Sequence, residues 1–416
     1  MRLGRGTLRH AAAALSRLLE FTQPADETLS RYFRAHPELG PHERSFVADA
    51  AFAVLRRRRS LAAAAGSSAP QALIASAAIK ALGLSARSLD GLVEPRLAEQ
   101  IRAFSSARMP AAVRADLPDW LWDMLVADHG EAQAERIAQA MLNPAPLDLR
   151  VNLARSSRED ARARLAAEGV EAQPTPYSPA GLRVTGKPAI NRHAIFRDGL
   201  IEVQDEGSQV LAWLLGARRG EMVGDYCAGA GGKTLAIAML MRGTGRVYAM
   251  DISARRLAAL RLRAARAGVT NVHVIALSGD NDARAKRLAG KLDRVLVDAP
   301  CSGFGTLRRN PDLKWRHAPQ AVMELAQKQR TILRAAARLV KPGGRLVYAT
   351  CSILKAENEA IADDFAASSP DFEPLSCEAV LAEQRIPLQA GARMRLWSHL
   401  HGTDGFFAAA FERRPL

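Results

Sequence analysis

Apolar residues in the first part of the chain recur at three- and four-residue spacing: Leu29, Tyr32 and Phe33, then Val47, Ala50, Ala51 and Val54. That period lines one face of a helix, and Gly40 with Pro41 cuts the run in two. Further helices are expected near Pro70–Leu82 and Leu89–Ala103. The pattern breaks at "SSARMPAAVRADLPDWLWDMLVADHG", and a helix through Met141 follows. The next stretch, "NPAPLDLRVNLARSSREDARARLAAEGVEAQPTPYSPAGLRV", predicts strand, helix and turn-rich strand, ending near Arg197. From about Gly199 strands and helices alternate, the strands being "EMVGDYC", "GRVYAMD", "NVHVIALSGD", "DRVLVDAPC" and "GRLVYATCS". Such alternation implies an α/β fold with a parallel, doubly wound sheet. A sheet of that kind holds its ligand at the carboxyl ends of the strands, around the switch point. Three parts result: an all-helical front (1–112), a small α+β module (113–198) and the α/β part (199–416).

Charge adds a partner. The chain has 416 residues with 58 Lys and Arg against 43 Asp and Glu, a net charge of +15. In a chain of enzyme size this excess favours a polyanion, and nucleic acid is the expected partner. Arg56 to Arg59 form a basic cluster, expected at a helix end. There it either complements the helix dipole or contacts phosphate. Cys227, Cys301, Cys351 and Cys377 contain no C-x-x-C pair and have no histidine at ligand spacing. A disulfide framework and a metal site are therefore not expected, and free thiols in a reducing cytoplasm are. The basic, then apolar start is interrupted by Ser16 and Arg17 and has no cleavage site, so it predicts an amphipathic first helix. No apolar run approaches the roughly 18 residues of a membrane span. A monomer is expected.

Chemistry concentrates after the strands of the last part. In "DYCAGAGGKT", Gly229, Gly231 and Gly232 allow a tight turn and close backbone approach to a ligand, with a helix starting near Lys233. A P-loop would need glycine at 227, which is Cys227, and a dinucleotide fingerprint from Gly229 would need glycine at 234, which is Thr234. Both fail, leaving a loop for S-adenosylmethionine (SAM). Asp225, Asp251, Asp280 and Asp298 stand at the ends of successive strands. Asp251 is placed for ribose hydroxyls and Asp280 for the adenine.

Cys301 and Cys351 each end a strand. C5 of cytosine is a poor nucleophile, and a thiolate adding to C6 turns the ring into an enamine whose C5 can attack a methyl group. This chemistry asks for a nucleophilic cysteine, an acid at N3, a methyl donor and a base. Cys351, Asp298, the glycine loop and Cys301 match those needs. Cys227 and Cys377 are expected to fill space or shape a loop.

"DYCAGAGGKT", "VLVDAPCSGFGTLRRNPDLKW" and "KPGGRLVYATCSILKAENE" resemble the motifs of the RsmB/Nop/Sun family of RNA cytosine-C5 methyltransferases, as do "VQDEGSQ" and "HGTDGFFAAAF". The resemblance spans nearly all of 140–416. It implies a Rossmann-like SAM-dependent methyltransferase domain, with the Thr-Cys residue Cys351 as nucleophile and the Pro-Cys residue Cys301 aiding product release. The family's SAM contacts carry over to Cys227, Ala228, Gly229, Ala230, Gly231, Gly232, Lys233, Asp251, Asp280 and Asp298, and Arg256 is included with them. Many members have C-A-A-P-G-G-K, whereas this chain has C-A-G-A-G-G-K. Losing the proline removes a fixed φ and is expected to weaken cofactor binding without changing the ligand. The helical front is similar to the NusB-like RNA-binding domain of bacterial members acting on small-subunit ribosomal RNA, and the middle module to the family's small RNA-binding extension. Ribosomal RNA is the expected substrate and transfer RNA the alternative. A ribosome-assembly factor with a relict catalytic fold is the competing class. A DNA enzyme would use a Pro-Cys nucleophile and a separate target-recognition domain.

Overall fold

The computed structural model describes residues 4–415, so the first three residues of the basic start lie outside the described residues. Two compact units are present. One runs to Pro144 and takes in the distant segment Thr306–Pro319; the other comprises Ala145–Gly305 and Gln320–Leu416.

The first unit is helical. Helices Arg5–Leu18, Ala25–Ala35, Pro41–Ala65 and Pro70–Lys80 enclose a core of Leu15, Leu29, Tyr32, Val47, Val54, Leu55, Leu73 and Ile74. The apolar periodicity from Leu29 to Val54 is thus the buried face. The helix expected over Leu89–Ala103 is two short ones, Ala86–Leu89 and Pro95–Ala103. Pro95 lacks an N–H, so it suits a first turn and not a helix interior.

The arginine cluster needs a larger correction. Arg56–Arg59 lie inside Pro41–Ala65, at a kink where Arg57 has φ −124° and ψ 34°. Arg56 donates to the Arg308 carbonyl at 3.0 Å, Arg57 to that of Leu142 at 3.4 Å and Arg59 to that of Leu117 at 2.6 Å. Arg58 lies over the rings of Phe21 and Trp315. These guanidiniums fasten the unit together from within the helix, so the cluster is not at a helix end and does not complement the helix dipole there. "NPDLKW" is part of the same structure. Trp315 Nε1 donates to the Leu55 carbonyl and Lys314 Nζ to that of Arg56, both at 2.7 Å. Burial pushes the Lys314 ammonium down to about 7, against the pull of Asp116.

In the second unit, strands β1 (Leu147–Val151), β2 (Ala172–Pro174), β3 (Gly181–Val184) and β4 (Ile201–Val203) form an antiparallel sheet in the order β2-β3-β1-β4. β4 lies beyond residue 198 yet pairs with β1. The larger sheet is built from β5 (Met222–Asp225), β6 (Arg246–Asp251), β7 (Val272–Ala276), β8 (Leu292–Asp298), β9 (Val340–Thr350), β10 (Phe372–Leu375), β11 (Met394–Leu396) and β12 (Phe406–Arg413). Its order is β10-β12-β9-β8-β5-β6-β7, with β11 beside β12. The five central strands are parallel and β12 runs antiparallel to β9. Chain order therefore reverses between β5 and β8, which is where a doubly wound sheet opens a crevice. Val295, Leu296, Val297, Leu346, Val347 and Tyr348 are fully buried. Coverage on both faces explains why these strands are continuous apolar runs. Among the described residues, no helix is long and apolar enough to cross a membrane.

Candidate active site

A cavity of about 450 Å³ opens at the carboxyl ends of β5, β6 and β8, beside the end of β9. Its lining includes Cys227, Ala228, Gly229, Ala230, Gly232, Lys233, Asp251, Arg256, Asp280, Asp298, Cys301 and Cys351. Every residue assigned to cofactor binding or catalysis from the sequence, except Gly231, is on that wall, and Gly231 shapes the turn behind it.

The glycine loop runs from β5 into the helix Gly232–Leu240. Gly229 and Gly231 have φ of +54° and +87°, where a side chain is strained. A β-carbon on Gly231 would also lie 2.5 Å from Leu260 Cγ, while one on Gly229 meets nothing nearer than Arg256 at 3.7 Å. Asp251 ends β6 and fixes the loop: Gly229 N–H donates to Oδ2 at 2.9 Å, and Ser253 N–H and Arg256 donate to Oδ1 at 2.7 and 3.1 Å. Asp280 departs from expectation. β7 stops at Ala276, and Asp280 follows in a turn that Asp282 ties by accepting from Ser278 N–H at 2.8 Å.

The loop is braced from the small sheet by residues that sequence reasoning did not single out. Arg150 donates to the Gly232 carbonyl at 2.6 Å and also to Gln204. Arg263 donates to the Ala230 carbonyl at 2.8 Å and to Glu202, which also pairs with Arg266. The quoted "VQDEGSQ" and "HGTDGFF" meet here, because Asp404 N–H donates to Asp205 at 3.1 Å. Gly207 makes this crossing possible, since a β-carbon there would sit 2.7 Å from the Phe406 ring, and Gly305 of the Cys301 loop likewise packs on Gly405, where a β-carbon would sit 2.1 Å from the carbonyl oxygen.

Lys233 Nζ donates to Asp298 Oδ2 at 2.6 Å and lies 5.6 Å from the centroid of the Phe406 ring. Burial pulls the Lys233 ammonium down, but Asp298, with Cys351 and Asp225 behind it, holds the proton and raises the group overall. Cys301 and Cys351 stand at the ends of neighbouring parallel strands with their sulfurs 3.4 Å apart. The hydrogen bond with Cys351 and then burial push the Cys301 thiol well above its ordinary value. Cys227 is half-buried and its thiol is raised by burial; Cys377 is buried, with Sγ 3.7 Å from the Ala408 carbonyl.

Asp225 supplies a pH test. It is buried and accepts from Thr234 Oγ1 at 2.7 Å. Burial pushes its carboxyl from 3.8 up to about 7. A folded-state value above the unfolded one favours the fold at low pH, and that contribution is lost as pH rises through about 7. The melting-temperature difference between Asp225→Asn and the unsubstituted protein should accordingly shift in the variant's favour from pH 5 to pH 8. A difference that stays flat would contradict the buried-acid assignment.

The donor set suits SAM: the loop amides and turn glycines give close backbone approach, and Asp251 adds a carboxylate to the cavity wall at the end of β6. Among the described residues one group has metal-ligand proximity, His10, His36 and Glu38 of the helical unit. Their polar atoms already engage one another, His36 with Glu38 at 2.9 Å and His10 with Tyr32 at 2.9 Å.

Residues 212–412 match the family described as 16S rRNA methyltransferase RsmB/F, and residues 117–191 match the ferredoxin-like domain of RsmF/B-like methyltransferases. The "Probable ribosomal RNA small subunit methyltransferase B" of Bacillus subtilis (strain 168) is 34% identical over 336 residues, 78% of this chain and 73% of its own. The like-named protein of Synechocystis sp. is 36% identical over 298 residues, 71% of this chain and 66% of its own. The crystal structure of PH0851 superposes with a TM-score of 0.81 at 26% identity, over 99% of this chain and 100% of that one. A Rossmann-like sheet with a SAM-type loop at its switch point, and this likeness across most of the sequence, establish that the chain belongs to the RsmB/F family of SAM-dependent RNA methyltransferases.

Proposed function

We propose that this protein methylates C5 of a cytosine in small-subunit ribosomal RNA, through a covalent bond between Cys351 and C6 of the base. The observation that supports this most is the pair of thiols 3.4 Å apart on the cavity wall. A single space-filling cysteine at a strand end is unremarkable, whereas two meeting in a cofactor crevice suit one reaction with two sulfur tasks. Cys351 gives its thiol proton to Asp298 and forms the S–C6 bond, pushing the C5=C6 electrons toward C5, while the protonated Asp298 donates to N3. SAM supplies the electrophilic methyl group. Cys301, as thiolate, takes the proton from C5, which restores the double bond and expels Cys351. Lys233 holds Asp298 in place and sets a positive charge on the cavity wall.

Incubating the protein with SAM and deproteinised small-subunit ribosomal RNA, then bisulfite sequencing, tests the reading. One protected cytosine is expected. Protection only in transfer RNA would move the substrate, and none in any RNA would sink the reaction. The target must be unstacked to enter the cavity, so a loop or bulge is expected.

The helical front is proposed to add RNA affinity. Its internal arginines are committed to carbonyls, which leaves exposed ones such as Arg9 and Arg34 for phosphate. Deleting the front would strip Trp315 and Lys314 of their partners, so substitution is the cleaner test. Arg9→Gln with Arg34→Gln should weaken RNA binding and flatten the log–log salt dependence by about 1 to 2. An unchanged slope in filter binding would remove these residues from the interface.

A further inference from the structure

One buried carboxylate joins the two cysteine loops. Ser302 follows Cys301 and Ser352 follows Cys351, and both hydroxyls donate to Glu357 Oε2 at 2.5 Å. Ser302 N–H and Gln329 Nε2 donate to Oε1 at 2.8 and 3.0 Å. Glu357, Gln329, Ser302 and Ser352 are all buried. The short turn Lys355–Glu357 brings the side chain back beneath its own loop, and the Glu357 carbonyl accepts from the buried Tyr348 hydroxyl of β9 at 2.6 Å. Asn358, next in sequence, donates to the Ser352 carbonyl at 3.0 Å. Four donors on two oxygens is the acceptor-only pattern of an ionised carboxyl group.

Resting on the two-thiol mechanism above, we infer that Glu357 is the positioning residue of the cysteine pair: it ties the loops after β8 and β9 at one point and sets a fixed negative charge behind Cys301. Beyond Pro300 and Thr350 the loops are otherwise joined by the Gly305 N–H, which donates to the Cys351 carbonyl at 2.8 Å, four residues past Cys301. A shared carboxylate bonded one residue past each cysteine adds a tie next to the sulfurs and holds them at contact distance. The charge acts on Cys301 with a definite sign. Cys351, burial and Glu357 push its thiol up and the Gly303 N–H pulls it down; Tyr348 is a further titratable group facing it. An anion behind Cys301 strengthens that sulfur's hold on the proton it takes from C5.

Glu357→Gln keeps the shape and removes the charge. A loosened pair should lose about 10- to 100-fold in kcat, the scale on which sub-ångström misplacement acts, with the Kd for SAM within about twofold of the unsubstituted protein's. The charge predicts a second effect, independent of methyl transfer. In a Cys351→Ala background, the pH midpoint for iodoacetamide alkylation of Cys301, followed by peptide mass spectrometry, should fall when Glu357→Gln is added. Should Glu357→Gln not fold, Ser302→Ala with Ser352→Ala cuts the same two struts, and kcat should again fall with SAM binding kept. Unsubstituted protein that makes no 5-methylcytosine would defeat the two-thiol mechanism, while the alkylation midpoint would still decide for or against Glu357 as the charge behind Cys301. Folded, SAM-binding variants with unchanged kcat and an unchanged midpoint would overturn the inference.

Discussion

Cys301→Ala is expected to run as a slow-migrating protein–RNA band in denaturing gels after incubation with RNA and SAM, and Cys351→Ala to give no such band. The order of bond changes dictates the difference. Without Cys351 no S–C6 bond forms, so neither methylation nor an adduct is possible. Without Cys301 the first bond and methyl transfer proceed, but loss of the C5 proton is impaired, and the protein stays attached to its own methylated product. The double variant, lacking the nucleophile, should show no band. Two merely space-filling thiols would behave otherwise: each replacement would cost a little stability and trap nothing. Adduct accumulating in Cys351→Ala would mean that the two roles are exchanged.

SAM binding should respond to the glycine loop in a graded way, and the geometry ranks the variants. Asp251 anchors the Gly229 amide, Ser253 and Arg256 besides its expected contact with ribose. Asp251→Ala should therefore weaken SAM by about 100-fold or more, some 2.7 kcal/mol. Gly231→Ala combines backbone strain with a β-carbon 2.5 Å from Leu260 Cγ, so the helix carrying Leu260 must shift; a loss of similar size is expected. Gly229→Ala meets only an ordinary contact, Arg256 at 3.7 Å, and carries the left-handed backbone cost of roughly 1 to 2 kcal/mol, about 5- to 30-fold. Calorimetric titration measures all three. Gly231→Ala binding better than Gly229→Ala would mean that the loop in the bound state differs from the one described here.

The sheet and the cavity wall were legible because both follow local rules. Parallel strands buried on both faces are continuous apolar runs, and the residue after each such run must stand at the ligand edge. That logic placed Asp251, Asp298, Cys301 and Cys351 without knowledge of strand order. It slipped by a few residues at Asp280, because the apolar signal of β7 fades into a turn held by Asp282. Arg56–Arg59 were misjudged for a different reason. A run of arginines carries the same letters whether it faces phosphate or the backbone carbonyls of Leu117, Leu142 and Arg308, and only the fold brings those carbonyls within reach. Glu357 was hidden likewise. It lay within the quoted "KAENE", but its partners Ser302 and Gln329 come from distant parts of the chain, and no periodicity records such a meeting.

The central claim is that Cys351 bonds to C6 of a cytosine in the RNA. RNA carrying 5-fluorocytosine tests it most directly, because fluorine at C5 cannot leave as a proton and the adduct persists. After incubation with SAM and digestion with nuclease and protease, tandem mass spectrometry should find the methylated fluorocytosine on the peptide containing Cys351 and on no other. Attachment at Cys301, or turnover of unmodified RNA with no cysteine adduct from the fluorinated one, would contradict the account.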